Sequence, residues 1–234
     1  MNIDPVLKLD ELRFGYNPAQ DIINIDSFTI EAGESVFLQG PSGCGKSTLL
    51  GLIGGVLPTD MGSISICGQD ITKLSSGRRD QLRADHLGII FQQFNLLPYL
   101  SVIQNCVLPC RFSNVRKRRA EKMSGSVIEA ARTLIMGLGL SEAQLKLSVG
   151  ELSVGQQQRV AVARALIGGP DLIIADEPTS SLDHNNRDRF IDLLNSQRDV
   201  FGSSLLFVSH DNSLAPHFDR QDSLPDLNKT GRQI

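Results

Sequence analysis

The sequence predicts an α/β fold built on a largely parallel sheet, and three observations carry that prediction. Aliphatic runs recur at residues 35–38 (S-V-F-L), 172–175 (L-I-I-A) and 205–208 (L-L-F-V), each bounded by turn residues, as expected of strands buried on both faces. The first run leads into Gly40-Pro41-Ser42-Gly43-Cys44-Gly45-Lys46-Ser47, which fits G-x-x-x-x-G-K-[ST], with Thr48 and apolar Leu49 and Leu50 behind it. A strand, a glycine-rich turn and a helix are thus written consecutively. Asp176 and His210 stand at or just past the carboxyl ends of the other two runs, where such sheets bind ligands.

With 234 residues, 41% of them hydrophobic and 21% charged, the chain can bury a real core as one large domain or two small ones. A net charge of −3 supplies no field to attract nucleic acid, so no nucleic-acid partner is expected. No apolar run approaches the roughly 18 to 20 residues of a spanning helix. The start has no basic flank followed by an apolar stretch, so a cytosolic chain is expected. Cys44, Cys67, Cys106 and Cys110 are irregularly spaced and read as free thiols rather than a metal or redox site.

Taken in order, the elements follow from local pattern. A strand at 35–38 precedes the glycine-rich turn, and another at 88–91 precedes Gln92 and Gln93. Residues 94–166 carry more helical pattern and few strand runs. Within them Ser141-Glu-Ala-Gln144 fits a capping box, with Leu140 and Leu145 at the staple positions, which predicts a helix starting there. Val160, Ala163 and Ile167 share one face of a helix over 157–167. The expected organisation is one domain over 1–221, its core made of about 1–92 and 167–221, with a helical insertion at about 93–166. A polar tail from Asp222 to the end is expected to be poorly ordered. Arg116-Lys-Arg-Arg119 reads as a solvated helix face, the alternative being a contact with lipid headgroups or a membrane partner.

The chemistry starts at the glycine-rich turn. Glycines there let backbone N–H groups approach phosphate oxygens at the positive end of a helix. Lys46 adds a point charge for β and γ phosphates, and the Ser47 hydroxyl can ligate Mg²⁺. Asp176, after four apolar residues, stands where a second Mg²⁺ ligand belongs, and Glu177 beside it can polarise an attacking water.

Joined to Leu152-Ser153-Val154-Gly155-Gln156-Gln157-Gln158-Arg159 and to the block D-E-P-T-S-S-L-D from Asp176 to Asp183, this loop resembles the ATPase subunit of ATP-binding-cassette (ABC) transporters over residues 16–210. The resemblance implies a P-loop NTPase cassette: a RecA-like core, an antiparallel β subdomain and an inserted α-helical subdomain. It implies ATP and Mg²⁺ as cofactors, with Gly40, Pro41, Ser42, Gly43, Cys44, Gly45, Lys46, Ser47 and Thr48 around the phosphates and Tyr16 stacked on the adenine. Ser47, Gln92 and Asp176 would hold the metal. Glu177 would act as base, and His210 would contact the γ phosphate and orient the water with Gln92. Ser153, Gly155 and Gln156 would grip the γ phosphate of ATP held by the opposite subunit, and Asp183 would organise the partner's site.

The signature run occurs nearly twice, as L-S-V-G-E at 147–151 and L-S-V-G-Q at 152–156; only the second leads into Gln-Gln-Arg and a helix. Val154 replaces a commoner glycine. A β-branched residue resists positive φ, so either the turn uses negative φ or the site is weakened. Gln104 stands where relatives often carry Glu before Asn105. The stretch Gln92-Gln-Phe-Asn-Leu-Leu-Pro98 resembles the macrolide-exporter and lipoprotein-releasing class. That implies a homodimer on the cytoplasmic face of the inner membrane that drives separate transmembrane permease subunits, with a possible periplasmic adaptor. A cell-division cassette that signals to cell-wall hydrolases without a cargo is the alternative.

Overall fold

The computed structural model describes residues 4–17, 20–59, 61–180, 182 and 184–231; Asp183 lies outside the described residues. Two sheets form the frame. An antiparallel sheet has the order β2-β1-β4-β5, with β1 at Leu7–Phe14, β2 at Ile23–Ile30, β4 at Met61–Ile66 and β5 at Gln69–Asp70. A parallel sheet has the order β6-β7-β8-β3-β9, with β3 at Ser35–Gln39, β6 at Leu87–Ile90, β7 at Leu172–Asp176, β8 at Ser204–Ser209 and β9 at Arg220–Ser223.

The three aliphatic runs occupy the centre of the parallel sheet, which is buried on both faces. Alternation along a strand sends successive side chains to opposite sides. Phe37, Ile173, Ala175, Leu205 and Phe207 enter one apolar core together with the helical insertion. Val36, Leu38, Leu172, Ile174, Leu206 and Val208 enter a second core with the antiparallel sheet and the helix α1, Lys46–Ile53. A run without polar alternation is therefore what this architecture requires.

The other described helices are α2 (Ser76–His86), α3 (Val102–Phe112), α4 (Asn114–Ser124), α5 (Val127–Gly137), α6 (Val154–Leu166), α7 (His184–Phe201) and α8 (Leu224–Leu227). Four expectations change here. At Ser141 the chain makes only a short 3₁₀ turn, Glu142–Lys146, in which the Gln144 side chain accepts from the Ser141 N–H at 2.8 Å. The helix expected from 157 begins three residues earlier, at Val154, because Ser153 and Gln156 cap it reciprocally.

Only Lys117 and Arg118 of the basic run form a solvated face. Arg116 is 2% exposed and donates to the carbonyls of Ile167 (2.8 Å), Ala165 (2.6 Å) and Leu87 (3.2 Å), at the open end of α6 and the start of β6. Burial pushes its guanidinium down to about 10, still a cation at neutral pH. Arg119 donates to Gly169 O and pairs with Asp171, while Lys117 and Arg118 remain exposed. The helix alternates because one side of it closes the end of another.

The described part of the polar tail, residues 222–231, is structured. β9 adds an edge to the parallel sheet, Leu224 is fully buried, and a 3₁₀ turn follows at Lys229–Gly231.

Candidate active site

β3 delivers the chain to the glycine-rich loop, and Gly43 and Gly45 take φ of 83° and 101°, left-handed values that glycine adopts without strain. Gly45 is the N-cap of α1; it offers no side chain, and the first turn of α1 contains no acid. The leading N–H groups of α1 are therefore free for an anion. A Cβ at Gly40 would lie 2.5 Å from Cys44 Sγ, so a larger residue here would displace the Cys44 side chain. The Cys44 side chain packs toward the second core rather than into the site.

A cavity of about 410 Å³ is lined by Ile22, Ser42, Gly43, Gly45, Lys46, Ser47, Thr48, Gln92, Asp176 and Glu177. Lys46 is buried; its Nζ donates to the carbonyls of Gly40 (2.7 Å) and Pro41 (3.0 Å) and lies 3.2 Å from Glu177 Oε1. Glu177 Oε2 is 2.7 Å from His210 Nδ1. Strands β7 and β8 are neighbours, which places Glu177 and His210 side by side at their carboxyl ends, and Glu177 N–H extends the ladder to Val208 O at 2.9 Å. Glu177 itself has φ of 43°, a left-handed turn costing a non-glycine residue about 1 to 3 kcal/mol. It turns the chain directly after the buried strand.

Asp176 faces the same cavity, and burial, followed by the Glu177 carboxylate, pushes its carboxyl up against the opposing effect of Lys46. A divalent cation would relieve that repulsion, and the Ser47 hydroxyl and Gln92 amide oxygen supply further hard donors, the set Mg²⁺ prefers. Gln92 Nε2 reaches Ser180 Oγ at 3.5 Å, linking the loop after β6 to the segment after β7. Tyr16 is 67% exposed, edge-on to Phe14 with ring centroids 5.1 Å apart, and its hydroxyl lies 3.4 Å from Thr48 Oγ1. The residue is thus largely open to solvent beside the loop.

Ser153, Gly155 and Gln156 do not line this cavity. They sit at the amino end of α6, where Val154 is 54% exposed in the first helical position with negative φ, so valine is accommodated without strain.

The ABC transporter family profile matches residues 23–180. A lipoprotein-releasing system ATP-binding protein, LolD, of Novosphingobium aromaticivorans is 39% identical over 224 residues, 93% of this chain and 95% of its own length. The macrolide export ATP-binding/permease protein MacB of Pasteurella multocida is 36% identical over 225 residues, 95% of this chain but only 33% of MacB. Among solved structures, the dimeric post-hydrolysis state of an ATP-binding cassette bound to ADP and Pi superposes with a TM-score of 0.79 at 31% identity, covering 96% of this chain and 95% of that one.

The chain belongs to the ABC transporter family. It is an ABC ATPase with the cassette fold.

Three residues that pattern reading passed over organise this cassette. Gln158, 2% exposed, donates from Nε2 to Pro178 O at 2.8 Å and so ties α6 to the residue following Glu177. Arg164 holds the carbonyls of Phe94 (2.5 Å) and Asn95 (2.6 Å), both at positive φ, and so fixes the loop after Gln92. Asn105, wholly buried, accepts from Leu97 N–H and donates to Leu97, Leu100 and Ser101 carbonyls. Gln104 reciprocally caps α3 with Ser101, a task a glutamate there would also perform.

Away from the cavity, Cys67, His86 and Asp171 bring ligand atoms within 4.8 Å of one another. His86 Nδ1 already bonds Asp171 at 2.8 Å and Arg119 occupies the same carboxylate, so the group is a satisfied ion-pair network. The hydrogen bond to Asp171, then Cys67, raises the imidazole to about 10. Burial pushes the Asp171 carboxyl up, but bonds from His86 and Arg119 outweigh it and hold it below the usual range.

A raised histidine stabilises fully below its unfolded value of about 6.5 and loses its contribution as pH climbs through about 10. Denaturant unfolding of the wild type should therefore weaken from pH 6.5 to 10 relative to His86→Gln. Parallel curves for the two proteins would remove His86 as the titrating group.

Cys44 gives a second check. Because its thiol faces inward, a maleimide should label it slowly and block ATPase, and Mg-ATP at ten times its Kd should slow labelling about tenfold. Labelling indifferent to Mg-ATP would contradict the loop's role.

Proposed function

We propose that this cassette is the motor subunit of a transporter, dimerising on ATP at the cytoplasmic face of the inner membrane to drive separate permease subunits, with Mg²⁺ held by Ser47, Gln92 and Asp176. The work is mechanical export or extraction of a lipoprotein, peptide or amphiphile, with a periplasmic adaptor where the permease requires one. The observation that carries this reading is that Ser153, Gly155 and Gln156 stand outside the cavity formed by the chain's own loop. The signature end of α6 is then complementary to a site on a second copy, in keeping with the dimeric state of the solved relative. Among the described residues no helix is long and apolar enough to cross a membrane, which fits a motor acting on other chains.

In the closed pair, Mg²⁺ would neutralise charge on the β and γ phosphates. Lys46 would exchange the Gly40 and Pro41 carbonyls for phosphate oxygens. Glu177 would polarise the attacking water, with His210 bonded to its other oxygen to fix its direction. Tyr16 would stack on the base, and Asp183 would act across the interface.

The test is reconstitution in lipid with the membrane partner that co-purifies. ATP-dependent release or movement of a lipid-linked or amphiphilic cargo supports the reading. ATP hydrolysis that activates a wall hydrolase with no cargo moved would replace it with a signalling role.

A further inference from the structure

The carboxyl-terminal segment leaves the parallel sheet at the phosphate loop itself. Ser223, the last residue of β9, pairs with Gln39, the last of β3. Leu224, fully buried, has its Cβ 3.5 Å from where a side chain on Gly40 would begin. The short helix α8 then reverses the chain toward the antiparallel sheet. There Asn228, 5% exposed, accepts from Asn24 N–H at 2.8 Å and donates to Ile22 O at 2.8 Å. Thr230 Oγ1 donates to the same carbonyl at 3.4 Å, and Lys229 pairs with Asp26.

β2 is the edge of its sheet, and an edge strand presents alternate unpaired N–H and C=O groups. The Asn228 amide meets one of each, as a neighbouring strand would. This contact lies directly behind the candidate active site. Ile22 lines the cavity, and its carbonyl oxygen and Cγ2 are 3.5 Å from where a Cβ on Gly45 would sit. Ile22 N–H also donates to Phe14 O at 2.8 Å, closing the β1–β2 connection that carries Tyr16. The segment therefore touches the loop's first glycine through Leu224 and backs its last glycine through Asn228 and Ile22.

We propose that residues 223–230 form a clasp that sets the spacing between the phosphate loop and Tyr16, with Asn228 as its positioning residue for nucleotide binding. This rests on the reading of Tyr16 and the loop as the two ends of the ATP site. An amide suits the task because it supplies a donor and an acceptor in one plane. Asp keeps the acceptor for Asn24 and loses the donor to Ile22; Ala loses both.

The experiment measures the affinity of a fluorescent ATP analogue, the ATPase KM and kcat, and competition by inorganic tripolyphosphate. Wild type, Asn228→Asp, Asn228→Ala and the milder Thr230→Val are compared at a temperature where circular dichroism shows each one folded. For the Asn228 variants the expected result is a rise in Kd and KM of about three- to tenfold, the scale of one or two net hydrogen bonds, with kcat within about twofold. Tripolyphosphate, which has no base to stack, should compete with nearly unchanged affinity. A lower melting temperature with unchanged Kd and KM would show ordinary packing and overturn the clasp, as would an equal loss for tripolyphosphate. A wild type that binds no nucleotide would sink the site reading instead.

Discussion

Glu177→Gln is expected to lower ATP turnover by about a hundredfold or more while ATP binding persists, the scale lost when a general base is removed. Glutamine keeps the shape and the hydrogen-bonding reach toward His210, whose ring lies 2.7 Å from Glu177 Oε2, but it cannot take a proton from water. It also removes the charge that Lys46 faces at 3.2 Å. A phosphate can still engage Lys46, so binding survives. With hydrolysis blocked, the closed pair should accumulate, and gel filtration should show a dimer with ATP and a monomer without it. Turnover persisting near the wild-type rate would exclude Glu177 as the base.

Arg116→Met is expected to cost about 3 kcal/mol or more in unfolding free energy, because three carbonyls would lose a charged donor in a buried place. For a chain of this size that corresponds to a melting temperature lower by roughly 6 to 12 °C. Methionine fills much of the volume, so the loss reports hydrogen bonding rather than a cavity. Lys117→Met, one residue along on the exposed side, should change stability by about 0.5 kcal/mol or less. Equal effects at the two positions would show that the basic run is uniform after all.

These two residues mark what the sequence discloses and what it hides. Glu177 was legible because strand, turn and motif are contiguous, and local order places the side chain at the end of β7. The same holds for Lys46, Ser47 and Asp176. Arg116 is hidden from the sequence because its partners are Leu87, Ala165 and Ile167, which are far away in the chain and offer only backbone oxygens. Carbonyl acceptors leave no trace in residue identity, so neither Gln158 against Pro178 nor Asn228 against Ile22 could be found by pattern. The polar tail misled for a related reason. Its apolar anchor is one buried leucine and the rest are backbone pairings and polar contacts, which do not alter a composition. Helix starts moved by a few residues because capping pairs compete with apolar periodicity, as at Ser153 and Gln156.

The strand order β6-β7-β8-β3-β9 has a consequence for how the molecule is made. β3, whose last residue opens into the phosphate loop, lies between β8 and β9, so both its hydrogen-bonding neighbours are encoded after residue 203. During synthesis that aliphatic strand must wait, unpaired, for more than four-fifths of the chain to emerge. Pairings so distant in sequence form slowly and leave apolar edges open to aggregation meanwhile. A chain interrupted before β8 would therefore hold every residue of the glycine-rich loop and neither of the strands that pair with β3.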